Sequence, residues 1–378
     1  MTKIFICGDI VNYGNDDGLI CSSSLSKKIS EADYSICNFE APIEINSKPV
    51  PKSGPHHYQE KTTISGLDRQ GFNLLCLANN HIMDYGESGL TATIKEAKQM
   101  GLETIGAGFN FNQAYEPVVK RFNNIKIGFI NACEAQFGVI DYFSSENQPG
   151  YAWINHSEID KRILELKKEC DFVIVLAHAG LEHYDIPQKE WRLRFKHFCD
   201  LGADAVVGSH PHVPQGYEYY NDSIIFYSLG NFYFDSKKFR MKEDSSYSII
   251  LELGKNKKVD FEPIFHYKKN GVVQLAPIEK QIDLKVLNNI LFEDYNRSHD
   301  NMSLEIFYGK IKKNLIYSLS PIPYDGGLKS SVKRIINFLL GRNKVNKRLL
   351  SLHLLRNESY YYATKHALEL ISRNKDLP

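Results

Sequence analysis

The chain has little that would tie it to a membrane, a polyanion or a disulfide framework. No apolar run approaches the roughly 20 residues that a bilayer-spanning helix needs. The first run, Ile4–Cys7, stops at Gly8-Asp9, too soon for the apolar core of a signal peptide. Neither sign of charge is in excess: 46 Lys and Arg face 45 Asp and Glu, for a formal net charge of +1. That balance excludes the global field expected of a nucleic-acid-binding protein. The seven cysteines are odd in number, scattered and never spaced C-x-x-C, which argues against a disulfide scaffold or a thiolate metal site. Cys7, Cys37 and Cys76 lie in apolar runs, where cysteine is usually a small buried hydrophobe. A reducing, cytoplasmic setting is the expectation. Internal repeats and low-complexity segments are also absent.

What is present is an ordinary globular composition, 43% hydrophobic and 24% charged, over 378 residues. That length exceeds the roughly 250–300 residues at which single cores stop growing. A main domain over 1–280 and a helical extension over 281–378 are predicted, because the texture turns helical from about Leu284.

Short apolar runs punctuated by polar tips dominate the first part. Lys3–Cys7, Tyr34–Cys37, Asn73–Ala78, Phe172–Ala177 and Ala205–Val207 read as buried strands, with helices at Glu87–Met100 and His156–Glu169. Strand and helix alternate as in a βαβ core. Val118–Phe122 and Ile125–Asn131 read as a hairpin. Residues 46–63, rich in Pro and Gly, read as a long loop in which His56 and His57 form a surface pair. From 216 to 275 the pattern becomes a strand meander.

Each buried strand ends in a residue able to bind a metal: Asp9, Glu40, Asn80 beside His81, His178, and the pair His210 and His212 around Pro211. Pro211 biases His210 away from helix, and alternate residues of an extended segment point the same way, so both imidazoles are expected on one side of a stiff turn. Ligands of open α/β sheets gather beyond the carboxyl ends of the strands, where these tips converge. One such tip is more readily a turn residue; five together point to a site. Two carboxylates, an amide oxygen and three imidazoles exceed one tetrahedral ion and suit two borderline ions sharing a carboxylate.

The runs Gly8-Asp9, Asn38-Phe39-Glu40-Ala-Pro42, Ala78-Asn-Asn-His81-x-x-Asp84-Tyr-Gly86, His178-x-Gly180-x-Glu182, Gly202-Ala-Asp204-x-Val-Val-Gly-x-His210-Pro-His212 and Tyr227-Ser-Leu-Gly-Asn231-Phe resemble those of the CapA (poly-γ-glutamate capsule synthesis) family. That family is a branch of the calcineurin-like metallophosphoesterases. The resemblance covers about residues 3 to 275. It implies an α/β (α+β) four-layer sandwich of two mixed β-sheets flanked by helices, here with a helical C-terminal extension. It also implies a centre of two divalent ions, Mn2+, Fe2+ or Zn2+. Asp9 and His212 would hold one ion, Asn80, His178 and His210 the other, and Glu40 would bridge them. His81 would protonate the leaving group, oriented by Asp84, while water activated by the two ions attacks. Where the superfamily usually places a histidine ligand, this chain has Val11, and the bridging carboxylate is Glu rather than Asp.

The implied function is metal-dependent hydrolysis of a phosphoester or a γ-glutamyl or other amide bond in capsule or cell-envelope polymer synthesis. The competing expectation is a non-catalytic accessory that binds an anionic polymer, poly-γ-glutamate or a polysaccharide. In both, the partner is an anionic small molecule or polymer, without nucleic acid or a membrane segment. Glu182 is a further catalytic candidate, lining the pocket or accepting a proton, with a solvated loop acid as the alternative. Asn231 and Asp235 are candidates to hydrogen-bond the ligands. His183 reads as structural, the tyrosine runs as packing, and the basic stretch Lys333, Arg334, Arg342, Lys344, Lys347, Arg348 as a solvated helical face.

Overall fold

The structure, a computed structural model, describes residues 1–122, 124–235, 244–254, 258–319, 332 and 346–373. Two compact units are formed, one from Met1–Val50 with His56–Glu293 and the other from Pro51–Pro55 with Asp294–Pro378.

In the first unit, β1 (Thr2–Val11), β2 (Tyr34–Phe39), β3 (Leu74–Cys76) and β4 (Glu103–Ile105) run parallel in that order. Helices α1 (Ser23–Ser30), α2 (Thr62–Arg69) and α3 (Gly86–Gln99) carry the chain back between them. The same sheet extends beyond β1 by an antiparallel meander of β15 (Asp244–Leu253), β16 (Val259–Lys269) and β17 (Val272–Leu275). A short strand, β14 (Asn231–Phe234), lies parallel to the end of β1.

The second sheet has the order β12 (Tyr217–Tyr220), β13 (Ser223–Phe226), β11 (Ala205–Ser209), β10 (Phe172–His178), β7 (Ile125–Cys133), β6 (Val118–Phe122). Its four inner strands are parallel and both edges antiparallel. Every residue of β10 is buried, as expected of a strand covered on both faces. A small third sheet joins β5 (Ala107–Gly108), β8 (Val139–Ile140) and β9 (Gly150–Ala152), with the one-turn α4 (Phe111–Ala114) nearby.

The two large sheets face each other across Ile4, Ile6, Ile36 and Leu74 on one side and Ile127, Phe129, Ile174, Val207 and Phe226 on the other. Phe5, Cys7, Cys37 and Leu75, on the opposite face of the first sheet, pack on Leu25, Ile29, Leu67, Leu90 and Ala97 from its helices. Helices α5 (Ser157–Glu169) and α6 (Lys189–Asp200) cover the second sheet, Leu166 seating against Gly128 of β7. Helix α5 follows from its sequence. Glu158 and Asp160 lie at its positive end, Lys167 and Lys168 at its negative end, and Ile159, Ile163 and Leu166 on its buried face. The result is a four-layer sandwich, helix–sheet–sheet–helix, of two mixed sheets.

Several elements depart from the sequence reading. The first strand runs on past Asp9 to Val11, with a register shift against β2 between Cys7 and Asp9, so Asp9 sits in a bulge rather than at a tip. Residues 231–234, within the expected meander, form β14, which pairs in parallel with β1. Helix α2 begins at Thr62, within the expected loop. Helix α7 (Leu284–Phe292), expected in the extension, belongs to the first unit. There Asn288 Oδ1 accepts from the Tyr217 N–H at 2.8 Å and the Leu291 carbonyl from Arg192 at 3.1 Å.

All seven cysteines are free and buried. Among the described residues no helix is long and apolar enough to cross a membrane. The second unit contains α8 (Tyr295–Ile306), a π-helical turn at Phe307–Ile311, α9 (Lys312–Leu319), and helices at Lys347–Arg356 and Glu358–Arg373. Lys333, Arg334, Arg342 and Lys344 of the expected basic face lie outside the described residues.

Candidate metal centre

The carboxyl ends of the two parallel blocks meet at one place, and each delivers polar side chains to it. The first sheet supplies Asp9, Asn38 and Glu40, with Asn80 and His81 just past β3. The second supplies His178 from the end of β10 and His210 and His212 from the loop after β11. Asp9, Glu40 and His178 are completely buried.

These residues sort into two donor triads with one shared member. Asp9, Glu40 and His212 form one, and Glu40, His178 and His210 the other; within each, one ligand atom per residue lies within 4.8 Å of the other two. Glu40 Oε1 is 3.8 Å from His178 Nε2 and 3.8 Å from His212 Nε2. Asn80 Oδ1 adjoins the second triad, 3.1 Å from His178 Nε2.

Buried polar atoms are almost always hydrogen-bonded, yet neither Glu40 oxygen accepts a hydrogen bond and His210 Nδ1 has no partner. Orphaned donors aimed into a dry cluster of carboxylates and imidazoles are what a pair of divalent cations requires. The residues therefore fit such ions. Val11, where a further ligand is usual in the superfamily, is buried beside Phe234 of β14, so three protein side chains make up the first triad.

The backbone aims the ligands. His210 (φ 97°) and His212 (φ 59°) both adopt positive φ, a conformation costing about 1–3 kcal/mol each for non-glycine residues. The expected extended segment with both imidazoles on one side is thus corrected, since each ring is turned to a different triad and their centroids stand 5.9 Å apart. The loop is pinned by Ala179 N–H to the Ser209 carbonyl at 3.1 Å, His183 N–H to that of Pro211 at 2.8 Å, and His210 N–H to Asp9 Oδ2 at 3.3 Å. Gly8 permits the bulge at Asp9. A Cβ there would fall 1.8 Å from the Gly230 carbonyl oxygen, so only glycine lets β1 approach the chain entering β14.

Electrostatics follow from burial and crowding. Burial pushes the Glu40 carboxyl well above its usual range, opposed by His212 and reinforced by Asp9 and Glu182. Burial would lower His212, but the Glu40 and Asp9 carboxylates outweigh it and hold it up at about 10. Burial and the surrounding imidazoles hold His178 well below its ordinary value, and burial brings His210 down to about 4. Neutral imidazole is the ligating form, in which His178 and His210 are held, whereas an ion at the first triad would displace the His212 proton.

His81 stands beside the triads with Nδ1 donating to Asp84 Oδ2 at 2.8 Å. The same oxygen accepts the His57 N–H at 2.7 Å. His57 is buried, not the surface residue expected of it, and its ring meets that of His81 edge-on at 4.2 Å. Tyr13 hydrogen-bonds His57 Nδ1, and Phe234 packs against both His57 (5.6 Å) and His212 (4.7 Å). Glu182 is half-buried, with its charge acting on Glu40, His210 and His212.

The profile of the family described as "Bacterial capsule synthesis protein PGA_cap" matches residues 6–236, which span every residue of both triads. The chain belongs to that family. Among curated PGA_cap relatives it is 34% identical to the capsule biosynthesis protein CapA of Bacillus anthracis over 63% of this chain and 58% of that protein. To the PGA biosynthesis protein CapA of Bacillus subtilis it is 32% identical, over 66% and 62%. The chain thus spans about three fifths of those relatives' lengths. A solved phosphatase from Mycoplasma pneumoniae superposes with a TM-score of 0.46 at 18% identity, covering 76% of this chain and 98% of that one.

Other residues of this PGA_cap centre were given no role by the sequence reading, although Asn38 stands in the Asn38-Phe39-Glu40 run. Asn38 Nδ2 donates to Asp9 Oδ1 at 2.7 Å and lies 3.1 Å from His178 Nδ1, and Ser209 Oγ lies 3.0 Å from the same nitrogen. Buried Glu134 accepts the Gly180 N–H at 3.2 Å and a Gln136 amide proton at 2.7 Å; Gln136 in turn lies 3.2 Å from His210 Nε2. Asn231, as expected, touches a ligand, its Oδ1 accepting from His212 Nδ1 at 3.0 Å. Asp235 acts electrostatically on the buried Lys268.

Proposed function

We propose that this chain is a metal-dependent hydrolase of capsule or cell-envelope polymer synthesis. Its proposed substrate is a phosphoester or a γ-glutamyl or other amide bond in an anionic molecule. The observation that carries this reading is Glu40, whose two buried, unbonded oxygens stand between the two triads. Asp9 and His212 would hold one ion, Asn80, His178 and His210 the other, with Glu40 between them; manganese, iron or zinc suits these nitrogen and oxygen donors. Two such ions supply a water nucleophile at neutral pH and positive charge for the developing oxyanion.

The protein's own residues supply orientation and a proton. Asp84 Oδ2 accepts the hydrogen bond of His81 Nδ1–H, which fixes the ring and leaves Nε2 to exchange a proton with the leaving oxygen or nitrogen. Asn38 holds Asp9 and His178 in place, and Asn231 does the same for His212 through the nitrogen opposite Glu40. Phe234 and His57 wall the site and exclude water from the side of His81.

The relatives are named for biosynthesis, which favours a second reading, an accessory that only binds an anionic polymer. The test is hydrolysis of a phosphodiester, a phosphomonoester and a γ-glutamyl anilide by the manganese-loaded chain and by His81→Ala. Turnover of one class that collapses in His81→Ala while metal stays bound supports the hydrolase. Tight polymer binding with no turnover of any class supports the accessory.

A further inference from the structure

Outside the centre described above, one cluster of metal-ligating side chains stands out among the described residues. His299 and Asp300 are consecutive on α8, and His366 lies on the helix Glu358–Arg373, all within the second unit. His366 Nε2 lies 2.6 Å from Asp300 Oδ1. The His299 ring stands 4.7 Å from that of His366, inclined at 61°. One ligand atom from each of the three lies within 4.8 Å of the other two.

Around a tetrahedral zinc ion with ligands at 2.0–2.1 Å, donor atoms sit about 3.3 Å apart. Side-chain rotations of a few tenths of an ångström to about 1.5 Å bring these three to that spacing. Burial is graded in a way that suits an ion site. His299 is buried, at 3% exposure, while the His366 and Asp300 side chains are 26% and 41% exposed. An ion thus gains an inner imidazole and keeps an outer face for entry and for a water as fourth ligand. Two imidazoles and one carboxylate are borderline donors, which select zinc or a neighbouring transition metal over magnesium or calcium.

We propose that His299, Asp300 and His366 form a zinc site that clips α8 to the C-terminal helix. The clip joins positions 66 residues apart, and closing a long loop is where a metal constrains the unfolded chain most. The site shares no residue with Asp9, Glu40, Asn80, His178, His210 or His212, so it stands whether or not the hydrolase reading does.

The test uses the full-length, tag-free chain, stripped with a chelator and titrated with zinc. Variant His366→Gln retains a side-chain amide that can donate to Asp300 but supplies no imidazole. It is expected to bind about one zinc fewer per chain than the parent, and Asp300→Asn to bind zinc at least 10-fold more weakly at this site. The same loss is expected in a His178→Ala background, where the other centre is disabled. A measurement free of variants accompanies these. Zinc is expected to protect His366 of the parent chain from acylation by diethyl pyrocarbonate, read by peptide mass spectrometry. Equal zinc content in parent and His366→Gln, or His366 acylated at the same rate with and without zinc, overturns the proposal.

Discussion

Asn38 Nδ2 donates to Asp9 Oδ1 at 2.7 Å and stands 3.1 Å from His178 Nδ1. One amide thereby couples a carboxylate on the first sheet to an imidazole on the second, at the seam where the sheets meet. Replacing it with Ala removes one orienting partner from each group, leaving Ser209 beside His178 and the His210 N–H on Asp9. Removal of such outer partners typically costs 10–100-fold in metal affinity, and that is the expected loss for Asn38→Ala. Competition against a chromogenic chelator measures it, and an affinity within twofold of the parent would contradict the role.

His81 is expected to matter for turnover and not for metal. His81→Ala should lower kcat by about 10²–10⁴-fold with ion content unchanged. Asp84→Asn should lower it too, because the same Asp84 oxygen serves both His81 and the His57 N–H. Steady-state kinetics alongside elemental analysis separate these effects; a variant that loses ions and activity together would place His81 among the ligands instead.

Gly8 is expected to be irreplaceable. A methyl group there must displace the Gly230 carbonyl or push β1 away from β14. Overpacking of this kind costs about 1–3 kcal/mol. Gly8→Ala should therefore lower Tm by several degrees and weaken metal binding through Asp9. Unchanged stability would show that the two segments part freely.

Away from the centre, burial holds His266 neutral, with its ring nitrogen Nε2 3.0 Å from Ser248 Oγ and its pKa down at about 3. Below the ordinary histidine value near 6.5, the unfolded chain takes up a proton there that the folded chain refuses. Stability is accordingly lost as pH falls from about 6.5 towards 3, by about 2 kcal/mol at pH 5 from this residue alone. Urea unfolding at pH 7 and pH 5 checks it: the parent-minus-variant difference for His266→Gln should shrink by about that amount at the lower pH. A difference independent of pH would mean that His266 is protonated in the fold.

Much of this was legible in the order of residues. Apolar runs ending in Asp9, Glu40, Asn80, His178 and His210 locate the buried strands, because parallel strands covered on both faces must be continuously hydrophobic. What escaped depends on contacts remote in sequence. His57 sits in a Pro-rich loop that reads as surface, and only the fold lays its N–H on Asp84 and its ring on His81. Glu134 had no periodicity or spacing to mark it, and Asn38, though it stands in the Asn38-Phe39-Glu40 run, showed no role until its partners on other strands were seen. The pattern His-Pro-His suggested an extended turn, whereas packing of Ala179, His183 and Asp9 around it forces positive φ at both histidines. Residues 231–234 lie in a stretch read as a meander, and their parallel pairing with β1, more than 200 positions earlier, shows only in the fold.

The central claim is that Glu40 serves two ions, and ion counting tests it most directly. The full-length chain is reconstituted with manganese beside Asp9→Asn, His210→Ala and Glu40→Gln, and bound metal is measured by elemental mass spectrometry. The account predicts that Asp9→Asn and His210→Ala each lose about one ion per chain relative to the parent, and that Glu40→Gln loses about two. Loss of only one ion, or none, in Glu40→Gln would contradict it.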